Sequence, residues 1–520
     1  MSHIIIIAAE NDALPGGKVG GIGDVVRDIP KALAKRGSTI SVLTPAYGTL
    51  NELPGAEKMT RLKVSFGGVA ETLELYRVAG RETLANVHHY VIEHPLFSTC
   101  GKGQIYCDDL AERPFATDAI KFALFCKAAA SAIVKTAFGK IDVIHLHDWH
   151  AAFLLILRRY DPVYKALKRI RCVFTIHNLA LQGIRPFAGD DSSLQQWYPD
   201  LKYKTAQLAD PRWPDCVNPM AVGIRLADAV HTVSPSYAEE ILRPSEVAEL
   251  GQYGGEGLEK DLRAAQTGNR LFGILNGCEY PKKPTTALAN WGSLLDLMHD
   301  QLLLMAAANS TLSSPLFIAQ KRLSELSRRR PKFILTSVGR VTEQKVRLLR
   351  QATSSSRPAL EAVLQTLDQN GLLIMVGSGD PDYELFLAET AARNNNFIFL
   401  RGYSEELVKA LYEMGDLFLM PSSFEPCGIS QMLAMRAGQP CLVHHVGGLR
   451  DTVEDNVTGF TFTGKNPTGQ ADNLIATLQR ALVAKSKPEK WQAMRKKAAA
   501  KRFSWTDSID LYQKQLYELT

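Results

Sequence analysis

At 520 residues the chain exceeds what one hydrophobic core usually holds, and its composition, 46% hydrophobic and 22% charged, is that of an ordinary globular protein, so two domains of roughly 200 to 250 residues are expected. The formal charge of +6 is diluted along the chain without the basic runs that mark nucleic acid or a membrane surface as a main partner, while an anionic small ligand stays compatible with it. No apolar run reaches membrane-spanning length, Met1 to Ala9 lacks the charged flank of a signal sequence, and the eight cysteines form no CxxC pair; reduced, mostly buried thiols and a cytoplasmic location follow as expectations.

The chain opens on His3 to Ala9, a continuous β-branched run of the kind that forms a buried parallel strand. Pro15 to Asp24 then supplies Gly16, Gly17, Gly20 and Gly21 with Lys18 among them, and Val25, Ile29, Leu33 and Ala34 fall at helical spacing. Strand, glycine loop and helix make a mononucleotide-type unit in which the backbone can approach a ligand and Lys18 adds a cation; a solvated loop lysine is the alternative. Thr39 to Leu43 is the next strand, residues 60 to 95 alternate like antiparallel hairpins inserted in the first domain, and Pro114 to Ala137 has a helical pattern. Asp142 to His150 reads as a strand delivering His147, Asp148, Trp149 and His150 at its end, and Arg171 to Gly183 as a second delivering His177 and Asn178. A metal site is disfavoured, because His145 and His147 alternate on one strand, no His-Glu-x-x-His pair exists and His177 lies on another element. His145 fits a hydrogen-bonded core histidine. Ala229 to Val233 and Leu271 to Leu275 complete the first sheet near residue 276.

Residues 281 to 292, with Pro281 and Pro284, read as the connection, followed by a helical stretch from Leu295 to Ala308. A second α/β series has strands at Phe333 to Val338, Leu372 to Val376, Phe397 to Leu400, Leu417 to Met420 and Pro440 to Val443, and each polar motif again follows a strand. The most informative stretch is Met420 to Gln431. An apolar run, a turn-rich loop and a helical period place Glu425 over the carboxyl end of a strand, beside the amides of Gly428, Ile429 and Ser430 at a helix entrance. Glu425 serves there either as a partner for a hydroxyl-bearing ligand or as a plain helix cap. Phe503 to Leu519 has roughly helical spacing and reads as a docked terminal helix.

Taken in order, these motifs resemble the bacterial glycogen synthase and plant starch synthase family of GT-B glycosyltransferases. The resemblance rests on Lys18-Val-Gly-Gly-Ile, His147-Asp-Trp-His150, Phe174 to Gly183, Gly339-Arg-Val-Thr-Glu-Gln-Lys345, Phe424 to Gln431, Gly447 to Val453 and Phe503-Ser-Trp505, and spans nearly the whole chain. It implies an α/β GT-B fold of two Rossmann-like, doubly wound domains facing an interdomain cleft, with residues 1–280 on the acceptor side, 281–502 binding the nucleotide sugar and 503–520 docking back as a terminal helix. It also implies retaining transfer of glucose from ADP-glucose, less often UDP-glucose, to the non-reducing end of an α-1,4-glucan, with no cofactor and no metal. Arg340 and Lys345 would hold the diphosphate in the metal's place, and Lys18 with Gly20 and Gly21 would join them on domain closure. Glu425 would accept hydrogen bonds from glucose hydroxyls, with Gly428, Ile429 and Ser430 on the sugar and phosphate. His177, Asn178 and Asp148 would face the sugar, and Tyr403 would line the adenine pocket unless it is a plain core tyrosine.

The lining departs from the family pattern where the charged residues do not. Leu181 stands where Tyr is usual, Ser423 where Arg is usual, Val346 where Gly follows the motif lysine, Met432 where Tyr is usual, and Ala437-Gly-Gln439 where Tyr-Gly-Thr is usual. A related GT-B transferase with another donor or acceptor, or a glucan-binding regulatory paralogue without turnover, are the competing readings.

Overall fold

Continuous apolar runs become parallel strands because a strand covered by helices on both faces can carry no alternating polar side. The computed structural model describes residues 2–280, 290–307 and 313–519. It falls into two units, one of Met1–Ser245, Tyr253–Gly277 and Trp505–Thr520, the other of Glu246–Gln252 and Cys278–Ser504.

In the first unit β1 (His3–Ile7), β2 (Thr39–Pro45), β3 (Glu57–Phe66), β4 (Val69–Val78), β5 (Val87–Glu93), β6 (Val143–His147), β7 (Arg171–Ile176), β10 (Ala229–Thr232) and β11 (Leu271–Gly273) form one sheet, while β8 (Arg185–Pro186) and β9 (Cys216–Val217) pair separately. The order β11-β10-β7-β6-β1-β2-β5-β4-β3 puts β1 between β2 and β6, parallel to both. Strand order therefore reverses at β1, and the crevice for a ligand lies outside the carboxyl ends of β1 and β6. The glycine loop follows one strand and Asp148 the other. The hairpins expected as an insertion are instead the edge of this same sheet: β3 and β4 pair antiparallel, β4 pairs antiparallel with β5, and β5 lies parallel to β2. Pairing β5 with β2 covers an edge that would otherwise present unpaired amides.

The second unit carries β12 (Phe333–Val338), β13 (Gly371–Gly377), β14 (Phe397–Arg401), β15 (Leu417–Met420), β16 (Cys441–His444) and β17 (Gly459–Phe462) in a parallel sheet ordered β14-β13-β12-β15-β16-β17. Its reversal falls between β12 and β15, which places the loops holding Arg340 and Glu425 side by side. The last strand, β17, was not among the expected ones; it opens on Gly459, whose Cβ would lie 2.2 Å from Cys441 O, so only glycine lets it approach β16.

The connection expected over residues 281–292 lies mostly outside the described residues, which resume at 290 before the helix Trp291–Ala307. The terminal segment, a helix Trp505–Leu511 and one π turn Tyr512–Leu516, buries Trp505, Ile509, Tyr512, Leu516 and Tyr517 in the first unit's core beside Val25, Ile29 and Val143. His145 is the core histidine its alternation suggested, bonded to Tyr517 Oη at 2.9 Å and Thr175 Oγ1 at 2.6 Å.

The expectation of reduced thiols throughout fails at one place. Gly101 and Gly103, both at positive φ, fold the segment back so that Cys100 and Cys107 come within 5.8 Å at Cα and are joined as a disulfide, while the remaining six cysteines are in no disulfide. No described helix is long and apolar enough to cross a membrane.

Candidate active site

On the second unit the polar cluster arises where β12 and β15 end. After β12 the chain runs through Gly339 and Arg340 into the helix Glu343–Arg350, and after β15 through Ser422 to Gly428 into the helix Ser430–Arg436. Two hydrogen bonds tie the loops: Ser423 N donates to Gln344 O at 2.8 Å, and the Gln344 side chain donates through Nε2 to Phe424 O at 2.9 Å. Within this frame Lys345 Nζ forms an ion pair with Glu425 Oε2, whose carboxylate is almost fully buried. Arg340 is exposed, lines the same narrow crevice as Lys345, and has no ion-pair partner among the described residues. The sheet thus brings Arg340, Lys345 and Glu425 together from positions 85 apart in sequence.

Glu425 does more than cap a helix. Its carbonyl accepts from Gly448 N at 2.9 Å, and Gly448 must be glycine because a Cβ there would lie 2.2 Å from Cys427 O. Gly428 sits at φ +76° with Gln431 Nε2 bonded to its carbonyl at 3.0 Å, fixing the entrance to Ile429 and Ser430. Tyr403 is 68% exposed, which removes the core-tyrosine alternative. Of the altered lining, Ser423, Val346 and Met432 are buried, whereas Leu181 on the first unit is exposed.

On the first unit part of the glycine loop is held from inside the protein. Glu10, buried just past β1, accepts from Val19 N at 2.9 Å, Gly20 N at 2.6 Å and Gly23 N at 3.3 Å, and Tyr106 Oη donates to its other oxygen at 2.8 Å. Gly17 approaches the protein's own backbone, since a Cβ there would lie 2.4 Å from Asn11 O, and around Gly21 there is open space. Lys18 is no freely solvated lysine: its Nζ lies 2.6 Å from Asp24 Oδ1 and 3.7 Å from Asp12 Oδ2. Burial works against the ammonium, but these carboxylates outweigh it and hold its pKa above the ordinary value. Arg27 bridges the same two aspartates.

The strand expected to run to His150 stops at His147, and Asp148 begins a helix to Tyr160 with φ +56°, a left-handed conformation rare for aspartate. Trp149 and His150 turn into the core against Phe122 and contribute nothing to the polar cluster. Asp148 accepts His177 N at 2.7 Å, and His177 Nε2 is 2.8 Å from His147 Nδ1, so Asp148, His177 and Asn178 form one corner. Burial, opposed by amide bonds from His177 and Asn178, pushes the Asp148 carboxyl up to about 8. Burial likewise pushes His177 down to about 3, leaving it neutral. Among the described residues no three His, Cys, Asp or Glu side chains gather as metal ligands would.

The starch synthase catalytic domain family matches residues 3–264 and the glycosyl transferases group 1 family residues 320–500. A glycogen synthase of Streptococcus equi subsp. equi is 32% identical over 99% of this chain and 100% of its own. That of Streptococcus gordonii is 34% identical over 99% of both. The catalytic domain of starch synthase IV from Arabidopsis thaliana, solved with ADP and acarbose, superposes with a TM-score of 0.75 and 27% identity over 99% of this chain and 98% of that one. The chain belongs to the glycogen and starch synthase family. As a member it is a hexosyltransferase of the GT-B fold that takes a nucleotide-sugar donor and a glucan acceptor. Against the family motifs, the residues that sequence reading missed are Glu10 and Tyr106. An acidic residue directly after the first strand was the available signal for Glu10; Tyr106, 96 residues away, gave none.

Proposed function

We propose that the protein elongates an α-1,4-glucan in the cytoplasm, passing glucose with retention from ADP-glucose to the 4-hydroxyl at the non-reducing end. The observation that carries this reading is the Lys345–Glu425 pair with Arg340 beside it at the strand-order reversal of the second unit. Departure of a nucleoside diphosphate leaves negative charge on phosphate oxygens, and cations already in place stabilise it without reorganising. Arg340, free to form a two-pronged contact, and Lys345 take that role. When the diphosphate draws Lys345, the Glu425 carboxylate is released to accept hydrogen bonds from glucose hydroxyls.

His177 stays neutral at any working pH and offers a polar imidazole to the sugar without placing positive charge beside an oxocarbenium-like centre. Asp148 acts through the His177–Asn178 backbone that it holds. The mechanism we favour is substitution on one face of the sugar, the acceptor entering as the diphosphate leaves.

Incorporation of labelled glucose into glycogen, with ADP-glucose and UDP-glucose compared, tests the reading. Transfer from ADP-glucose that persists in a chelator is expected. Glycogen binding without transfer from either donor would instead favour a regulatory paralogue, and chelator inhibition reversed by manganese would move the charge stabilisation from side chains to an ion.

A further inference from the structure

A rigid aromatic platform stands on the first unit outside the clusters described so far. Trp213 is 52% exposed, yet its position is fixed from below. The guanidinium of Arg212 lies 4.5 Å from the indole centroid, occupying one ring face. Arg212 is in turn fully committed: Nη2 donates to Gln182 Oε1 at 3.1 Å, Nε lies 3.5 Å from Asp210 and Nη1 3.7 Å from Glu256. Asp210, buried, accepts the amides of Arg212 at 2.7 Å and Trp213 at 3.0 Å, and Pro211 and Pro214 stiffen the turn on either side. Gly257, at φ +86°, leaves the space for the Arg212 stem, since a Cβ there would lie 2.6 Å from Cδ. A second pair sits on the same corner: Phe187 N donates to Asp215 O at 3.0 Å, and Phe187 stacks on Tyr203 at 5.6 Å.

We propose that Trp213 is a subsite for the acceptor chain, an indole on whose face opposite Arg212 one glucose ring of an α-1,4-glucan lies. The pyranose ring presents a face of C–H groups to a flat aromatic surface and a girdle of hydroxyls to water and polar groups, and an exposed indole propped on a charged network matches both. An apolar protein partner would call for a contiguous hydrophobic patch, whereas the indole rests on the Arg212 guanidinium, itself held between Asp210 and Glu256. Continuity with the sugar corner gives the chain a direction. Gln182, which holds Arg212, closes the loop that begins at His177 and Asn178, and its Nε2 donates to Leu179 O at 3.1 Å. A glucan resting on Trp213 is therefore registered by the same loop that carries His177. That the ligand is a glucan rests on the proposed function; that a ligand stacks here rests on the propped ring.

Electrophoresis through gels containing glycogen, with no donor present, reads the platform directly. Trp213→Ala is expected to weaken glycogen affinity about tenfold and to raise the KM for glycogen in step, while the KM for ADP-glucose holds and Trp213→Phe recovers most of the loss. Retardation of Trp213→Ala equal to that of the parent would overturn the proposal, as would a loss that falls equally on ADP-glucose. Because the gel needs no turnover, a chain without transferase activity would defeat the functional reading and still leave the platform testable.

Discussion

Lys345 and Glu425 neutralise each other in a crevice with little room for water, so removing either leaves a charge without its partner. Lys345→Ala is expected to lower kcat by about 10² to 10³, the range typical for loss of one preorganised charge-stabilising group, with glycogen affinity held. Unchanged turnover in the label-incorporation assay would remove Lys345 from the diphosphate. Asp148 makes a prediction of opposite kind. Its carboxyl keeps a proton in the fold up to about pH 8, whereas the unfolded chain releases it near 4. Between those values the unfolded state binds fewer protons, so stability falls as pH rises, by at most about 1.4 kcal/mol per pH unit from this residue. Asp148→Asn keeps an acceptor for the His177 amide and removes the titration. Its stability relative to the parent, measured by urea unfolding, should therefore increase steadily from pH 5 to pH 8; parallel curves would show that Asp148 is ionised in the fold.

Elements were legible in the sequence where one physical signal dominated. β1 after His3 and β15 are continuous apolar runs and β12 begins as one before Thr336 and Ser337, so these strands and the loops at their carboxyl ends are placed by the sequence pattern. What escaped depended on partners far along the chain. β17 is four residues beginning with glycine and exists because β16 offers an edge. The Cys100–Cys107 link depends on two glycine turns, not on a recognisable spacing. The glycine loop is legible as a loop after a strand, but that Val19, Gly20 and Gly23 donate their amides to Glu10 depends on folding Tyr106 and Glu10 together. The loop is thus organised from inside the protein, with the Lys18 ammonium held by Asp24 and Asp12. Glu10→Ala should free the amides of Val19, Gly20 and Gly23 to exchange with deuterium and raise the KM for ADP-glucose, while Glu10→Gln, which still accepts hydrogen bonds, should restore most protection. Protection that survives in the alanine variant would mean the loop is held by other contacts.

At the scale of the first unit, the terminal segment and the buried histidines form one construction. His145, His147 and His231 extend from neighbouring strands into a buried layer with the half-buried His177 at its margin, and burial depresses all four, to about 3 for His177 and about 4 for His231. Tyr517 caps His145 at 2.9 Å, and Tyr512 packs its ring on His231. Below pH 6.5 the unfolded chain protonates these imidazoles and the fold does not, so stability present at neutral pH is lost as pH falls, at up to about 5 kcal/mol per pH unit for the four together. Domains of this kind are stable by about 5 to 15 kcal/mol, so acid unfolding is expected to begin above pH 5. The terminal residues set how secure that layer is. Trp505, Ile509, Tyr512, Leu516 and Tyr517 are all buried, and at about 2 kcal/mol each their contribution is about 10 kcal/mol as an upper figure, comparable to the whole stability of a domain. A chain ending at Ser504 should therefore fail to give a folded first unit, seen as loss of near-ultraviolet circular dichroism and of solubility. The milder Tyr517→Phe removes one hydroxyl and leaves His145 Nδ1 without its partner, at a cost of about 1 to 3 kcal/mol; it should fold, melt earlier, and unfold in acid at a higher pH than the parent. A truncated chain as soluble and as stable as the full one would show that the core of the first unit closes without its last sixteen residues.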